Sequence, residues 1–132
     1  MPPNSLKGQN VMFYYMVLCK RSQELRVCCK MWFENERSNY IFGEMPFELF
    51  RYIDDSGTLE AAVKKVGCSI AFARKKIREI EVNVGERIIE GERGGQGGGG
   101  KTKLTEKGKE LLEKYDMCRE RLKDFIDFEM AP

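Results

Sequence analysis

The chain contains no histidine. That removes the one side chain whose ordinary pKa lies near neutrality, and with it the commonest general base and metal ligand. Cysteine is present but unpatterned: Cys19, Cys28, Cys29, Cys68 and Cys118 are odd in number and show no CxxC spacing. Neither a disulfide framework nor a zinc site follows from such a set. The expectation for each is a small buried apolar residue in a reducing, cytoplasmic compartment. Long apolar runs are missing too. Val11 to Cys19 is nine residues long, whereas a helix needs about 20 to cross a bilayer. It also lacks the basic start and small-residue cleavage site of a secretory signal. It reads as a strand, or as residues ahead of a later start at Met12 or Met16. No membrane partner, metal or cofactor is expected. No nucleophile can be matched with a base, so enzymatic activity is not expected either.

A dominant charge is likewise absent: 23 lysines and arginines against 21 acids leave +2 over 132 residues. The distribution is less even than the sum. From Ala61 to Arg78 there are six bases (Lys64, Lys65, Arg74, Lys75, Lys76, Arg78) and no acid, while from Thr105 to Met130 acids outnumber bases. A near-neutral total therefore conceals a basic patch, the electrostatic footprint of a polyanion-binding surface. With 42% hydrophobic residues, the chain can also build a core.

Residues 1–10 carry two prolines and a glycine among polar residues and read as a loose tail. From Leu25 to Glu34 the pattern alternates, which predicts one strand. Asn35 to Asn39 is a turn, and Tyr40-Ile41-Phe42 returns, closing a hairpin at Gly43. Three short helices follow. Pro46 suits the first turn of a helix whose stripe is Leu49, Phe50 and Ile53 and which Ser56-Gly57 stops. Thr58 is an N-cap for the second helix, with Leu59, Ala62, Val63 and Val66 inward. Gly67 ends it. Ser69 caps a third helix whose Ile70, Ala73, Ile77, Ile80 and Val84 share one face, up to Gly85.

Helix, glycine turn and a helix carrying bases is the helix-turn-helix order. Packing of the apolar stripe turns Ala71, Phe72, Lys75, Lys76 and Arg78 outward, with Arg74 beside them. Beyond Gly85, Arg87 to Glu90 is a short strand. A glycine-rich tip and the returning Lys101 to Leu104 complete a second hairpin, a wing. Thr105 opens a long last helix. In it Leu111, Tyr115, Cys118, Leu122 and Phe125 alternate by four and three over about two heptads, the spacing of a dimer seam supported by other contacts, with packing on the chain's own domain as the alternative. The expected fold class is therefore α+β: a winged helix-turn-helix with an N-terminal β-hairpin and a long C-terminal dimerisation helix. Its expected divisions are an extension over 1–24, a DNA-binding domain over 25–104 and the dimer helix over 105–132.

The order "IDDSGTLEAAVKKVGCS", a third helix, then "GERIIEGERGGQGGGGKTKLTEKGKELLEKYD" resembles the N-terminal domain of the molybdate-responsive ModE regulators. It is more distantly similar to the N-terminal domain of LysR-type regulators. The upstream "CCKMWFENERSNYIFGE" resembles the first hairpin of many short ModE-like proteins. The resemblance covers about Leu25 to Phe128, and its most specific part is the glycine-rich wing followed by "LTEKGKELL". It implies a homodimeric transcriptional regulator bound to a palindromic operator in double-stranded DNA. By position, Ser69, Ala71, Phe72, Lys75 and Lys76 would face the groove and Gln96, Lys101 and Lys103 would lie near the backbone. Apart from the resemblance, Thr58, at a helix N-terminus whose N–H groups can meet phosphates, and the cations Arg74, Arg78 and Arg93 are expected DNA contacts. The recognition helix departs from the family by reading Ser69-Ile70-Ala71-Phe72-Ala73-Arg74. The sequence ends at Pro132, so no bound oxyanion is expected in this chain.

Two other readings stand beside this one. The basic face could meet an acidic protein, which would make the chain a winged-helix adaptor. Gly95 to Thr102, "GQGGGGKT", also satisfies the phosphate-loop pattern, in which Lys101 would reach phosphate oxygens and Thr102 a magnesium ion. That chemistry needs a helix starting at the lysine, whereas Lys101 to Leu104 alternates like a strand. The glycine run is therefore assigned to the wing. Trp32 is expected in the core or at a dimer contact. Asp54-Asp55, adjacent at a helix end, is expected to be solvated or salt-bridged.

Overall fold

A computed structural model describes residues 20–22, 25–91 and 100–131. The expectations for Cys19, Arg93, Gln96 and residues 94–99 of the glycine run lie outside the described residues. The described chain is α+β. Four helices, α1 (Glu44–Ser56), α2 (Leu59–Val66), α3 (Ile70–Val84) and α4 (Glu106–Glu129), accompany six short strands. The strands form three antiparallel pairs: β1 (Lys20–Ser22) with β2 (Leu25–Val27), β3 (Phe33–Glu34) with β4 (Tyr40–Phe42), and β5 (Ile89–Gly91) with β6 (Thr102–Leu104). No described helix is long and apolar enough to cross a membrane. The chain divides into two units, residues 32–115 and residues 1–31 with 116–132.

In the first unit, local chemistry sets the helix boundaries. Gly57, Gly67 and Gly85 close α1, α2 and α3, each in the left-handed region and each returning its N–H to the last turn. At Gly67, φ is +85°, a conformation in which a Cβ crowds the following carbonyl. Its N–H donates to Val63 O at 2.8 Å, which lets the chain reverse within a few residues. Thr58 and Ser69 cap the next helices, accepting from Ala61 N at 3.2 Å and Phe72 N at 3.0 Å. Helix α1 starts two residues ahead of Pro46, which occupies its first turn as expected.

The helical stripes meet in one core. Leu49, Phe50 and Ile53 of α1, Ala62 and Val63 of α2, and Ala73, Ile77 and Ile80 of α3 are buried, with Ile88 and Leu104 from the second hairpin. An aromatic cluster extends it. The ring of Tyr115 lies 5.4 Å from Phe33, 5.4 Å from Phe42 and 5.0 Å from Phe47, centroid to centroid. The first two pairs are edge-to-face, a geometry contributing about 0.5–1.5 kcal/mol beyond area burial. The Tyr115 hydroxyl reaches Glu44 Oε2 at 3.1 Å.

The single strand expected over Leu25 to Glu34 is not formed. β2 pairs backward onto β1, with Arg21 opposite Arg26, whereas β3 pairs forward onto β4 across a bulge. Residues 28–32 between them are not extended into either ladder. Alternation records which side chains share a face; it does not record which backbone supplies the hydrogen bonds. Here the two ends find partners in opposite chain directions, so the strand is cut. The turn at Asn35 does form: its Oδ1 accepts from Arg37 N and Asn39 N. Asn35 Nδ2 donates to Asn83 O and Asn83 Nδ2 to Tyr40 O, tying this hairpin to the end of α3.

In the second unit, the described residues are the β1–β2 pair, the segment to Met31 and α4 from Asp116 on. Cys28 and Cys118 are exposed and Cys29 is half-buried, so the expectation of buried cysteines fails for two of them. In the first unit Cys68 is half-buried, and burial raises its thiol pKa.

Candidate functional site

The bases of the Ala61 to Arg78 stretch are carried by α2 and α3, and the caps decide how they are displayed. Ser69 starts α3, which fixes its rotation; Ala73, Ile77 and Ile80 then take the inward face. With 3.6 residues per turn, the positions left outside are Ala71, Phe72, Arg74, Lys75 and Arg78, all exposed. Lys76 is half-buried: its Nζ stands 5.6 Å from the Phe72 ring centre and 3.6 Å from Glu79 Oε2. Phe72, 42% exposed, is thus shared between solvent and that cation. Arg74, Lys75 and Arg78 make no ion pair among the described residues, nor do Lys64 and Lys65 of α2, which are also exposed. The hydroxyls of Thr58 and Ser69 are engaged as caps.

The second hairpin stands beside this face. Ile89 pairs with Leu104, Glu90 with Lys103 and Gly91 with Thr102. Thr102 N donates to Gly57 O at 2.8 Å, and Thr105 N to Ile88 O at 2.8 Å, fastening both ends of β6. Lys101 and Lys103 are exposed, and Lys103 Nζ lies 4.0 Å from Glu90 Oε1 across the ladder. Between α3 and this hairpin runs an open groove of about 250 Å³. Leu59, Ile77 and Ile89 supply apolar lining, and Arg74, Arg78 and Arg87 surround it with guanidinium groups. Glu81 is the single acid of that lining; it accepts from Ile88 N at 2.8 Å and lies 3.7 Å from Arg87 Nε.

The phosphate-loop geometry is absent at Lys101 and Thr102. Thr102 is in β6, and the next helix begins at Glu106 under the cap of Thr105, whose Oγ1 accepts from Gly108 N at 3.2 Å. A phosphate loop draws on the N–H groups of a helix beginning at its lysine. Lys101 has a strand after it instead. Among the described residues, no group of three or more cysteines and acids could hold a metal ion.

The expected dimer seam is divided. Leu111 and Tyr115 are 7% and 0% exposed, buried in the chain's own core, so they have no surface left for a second copy. Cys118 and Phe125 are exposed, Phe125 at 61%, and Leu122 is half-buried. The buried positions of α4 instead follow Leu111, Tyr115, Arg119 and Ile126, with Leu122 partly covered. A straight helix turns 3.6 residues per turn and so drifts about 20° per heptad from a 3.5-residue seam. Selecting the apolar letters placed the line on Cys118 and Phe125, one residue from the positions that are covered. Trp32, 41% exposed, donates to Glu34 Oε1 at 2.9 Å, and Asp54 and Asp55 are exposed as expected.

Sequence reasoning passed over Arg87 and Glu81. Both lie outside the basic run, and nothing periodic marks the turn that brings Arg87 back to α3. No family model and no curated protein matches the chain.

Proposed function

We propose that the chain is a winged helix-turn-helix protein that binds double-stranded DNA and regulates transcription, in the manner of the ModE-like regulators. The observation that carries the reading is the outward face of α3. Arg74, Lys75 and Arg78 project there without ion-pair partners among the described residues, beside a hairpin bearing Lys101 and Lys103. A near-neutral chain that leaves its cations unpaired on one face keeps them for an anionic partner outside itself. A helix of this width enters the major groove, where Ala71 and Phe72 supply apolar contact for thymine methyl groups while the cations meet phosphates. The hairpin approaches the neighbouring backbone. The reading keeps the protein in the reducing, cytoplasmic compartment that its unpatterned cysteines suggest.

A second copy is the other partner in this reading. Its support is the exposed apolar set on α4, Met117, Phe125 and Phe128, at 47%, 61% and 78% exposure. At about 100° per residue the three fall within roughly a quarter of the helix circumference, and an exposed apolar patch on one side of a helix is the kind of surface a partner covers.

Lys75→Ala combined with Lys76→Ala tests the DNA reading. Each phosphate contact contributes about 0.9 to the slope of log affinity against log salt, so the pair should lower that slope by about two while leaving the melting temperature nearly unchanged. Selection from genomic fragments should return paired half-sites about 10 base pairs apart. An unchanged slope would count against α3 as the reading helix. Weak binding blind to sequence, with capture of an acidic protein, would favour the adaptor.

A further inference from the structure

The groove between α3 and the β5–β6 hairpin contains a cation that does not belong to α3. Arg87 lies just ahead of β5, and its side chain is 77% exposed. Its Nη2 donates to Ile89 O at 3.4 Å, and its Nε is 3.7 Å from Glu81 Oε2. Neither contact is tight. Glu81, by contrast, is firmly placed: its side chain is 22% exposed, and the same oxygen accepts from Ile88 N at 2.8 Å. One carboxylate thus fastens the start of the hairpin to α3 while holding an exposed guanidinium loosely beside it. Arg74 and Arg78, one helical turn apart, line the same groove.

We propose that this groove seats one sugar–phosphate strand of the bound duplex, and that Arg87 is a phosphate-binding residue restrained by Glu81 until DNA arrives. The inference rests on the DNA reading above and adds to it a residue and a control element. Size and charge select the occupant. Small ligands are enclosed by pockets of about 300–1,000 Å³, and this groove, at about 250 Å³, is open as well as smaller. It suits a short stretch of an extended polyanion that continues past both ends. Ile89, half-buried at the wall of the groove, lies against sugar edges, and the three arginines take non-bridging phosphate oxygens, which match the guanidinium fork. On binding, Arg87 exchanges a separated, solvent-screened carboxylate for a phosphate. Glu81 keeps its bond to Ile88 N and so continues to position the hairpin.

The test is fluorescence anisotropy with a fluorescein-labelled mixed-sequence duplex over a salt series, because phosphate contacts do not depend on sequence. Arg87→Ala should weaken binding by about three- to tenfold at low salt and lower the salt slope by about one. Glu81→Gln preserves an amide oxygen for Ile88 N but removes the charge that restrains Arg87; it should tighten binding by about threefold. That tightening should shrink when Glu81→Gln is introduced into the Arg87→Ala background. Thermal melts on each variant establish that the fold is retained. Unchanged affinity in Arg87→Ala overturns the proposal, as does tightening by Glu81→Gln that is equally large with and without Arg87. Binding of poly-glutamate lost in Arg87→Ala, with duplex binding intact, assigns the groove to an acidic protein and also overturns it. If the unaltered protein binds no duplex at all, the DNA reading and this proposal fall together. Normal duplex binding with indifferent variants removes this proposal alone.

Discussion

The first and second halves of α4 carry apolar residues at the same spacing but differ in exposure. Leu111 and Tyr115 are enclosed, and Tyr115 packs against three phenylalanine rings and bonds to Glu44. Cys118 and Phe125 continue the pattern in letters and stand open to solvent. Arg119 and Ile126, each one residue further along, are the buried ones. Periodicity thus identifies an amphipathic helix reliably but leaves open what covers each turn. Burial in one chain follows the 3.6-residue period, whereas a long-range seam between two helices follows 3.5.

The largest expected effects come from exchanging the two halves' residues for alanine. Tyr115→Ala should cost about 3–5 kcal/mol by loss of ring contacts and a residual cavity. Phe125→Ala should stay within about 0.5 kcal/mol in the isolated chain. Urea unfolding curves measure both, and equal losses would erase the distinction between the halves. Next is Gly108→Ala in the first turn of α4. A Cβ there would lie 2.5 Å from Ile88 O, a backbone atom, and 3.2 Å from Leu104 Cβ. Overpacking of that kind costs about 1–3 kcal/mol. The same substitution in the exposed second half, at Ser or Gly positions, has no counterpart, since Gly108 is the only glycine of α4.

A smaller change in folding but a visible one in assembly is expected for Phe125→Asp. If the open half pairs with a second copy, sedimentation velocity should show dissociation at concentrations where the unaltered protein is dimeric, with little change in melting temperature. An unaltered protein that is monomeric throughout would remove the dimer from the proposed function. The smallest effect concerns pH. Hydrogen bonds from Lys114 and Lys107 hold the Glu110 carboxyl below its ordinary value of 4.5. A depressed carboxyl stabilises the fold above its unfolded pKa, and the contribution disappears as pH falls through the folded one. Melting temperature should therefore decline slightly more steeply below about pH 4.5 in the unaltered protein than in Glu110→Gln. The groups are solvent-exposed and salt-screened, so parallel curves in high salt are expected.

Much of the first unit was legible because its signals are local. Gly57, Gly67 and Gly85 end helices, Thr58 and Ser69 begin them, and the stripes of α1 to α3 point inward as their spacing implies. A cap is a bond between a side chain and an amide three residues on, so neighbours suffice to read it. Of the outward set expected from the same arithmetic, Ala71, Phe72, Lys75 and Arg78 are exposed, and Arg74 beside them is exposed too. Lys76 did not behave as fully outward, because Phe72 and Glu79 draw it back along the helix. The break between β2 and β3 was invisible for the opposite reason. Strand pairing is decided by a partner that can lie in either chain direction.

By itself, then, the sequence determined the α+β composition, five helix ends (Gly57, Gly67 and Gly85 closing, Thr58 and Ser69 opening) and the concentration of bases on α2 and α3. These depend on interactions within one or two turns of chain. Only the tertiary structure decided that Leu111 and Tyr115 belong to the core while Phe125 does not. It alone brought Arg87 and Glu81 to the groove beside Arg74 and Arg78. The physical reason is that burial and ion pairing depend on distance in space, which local pattern constrains only once every element has been packed.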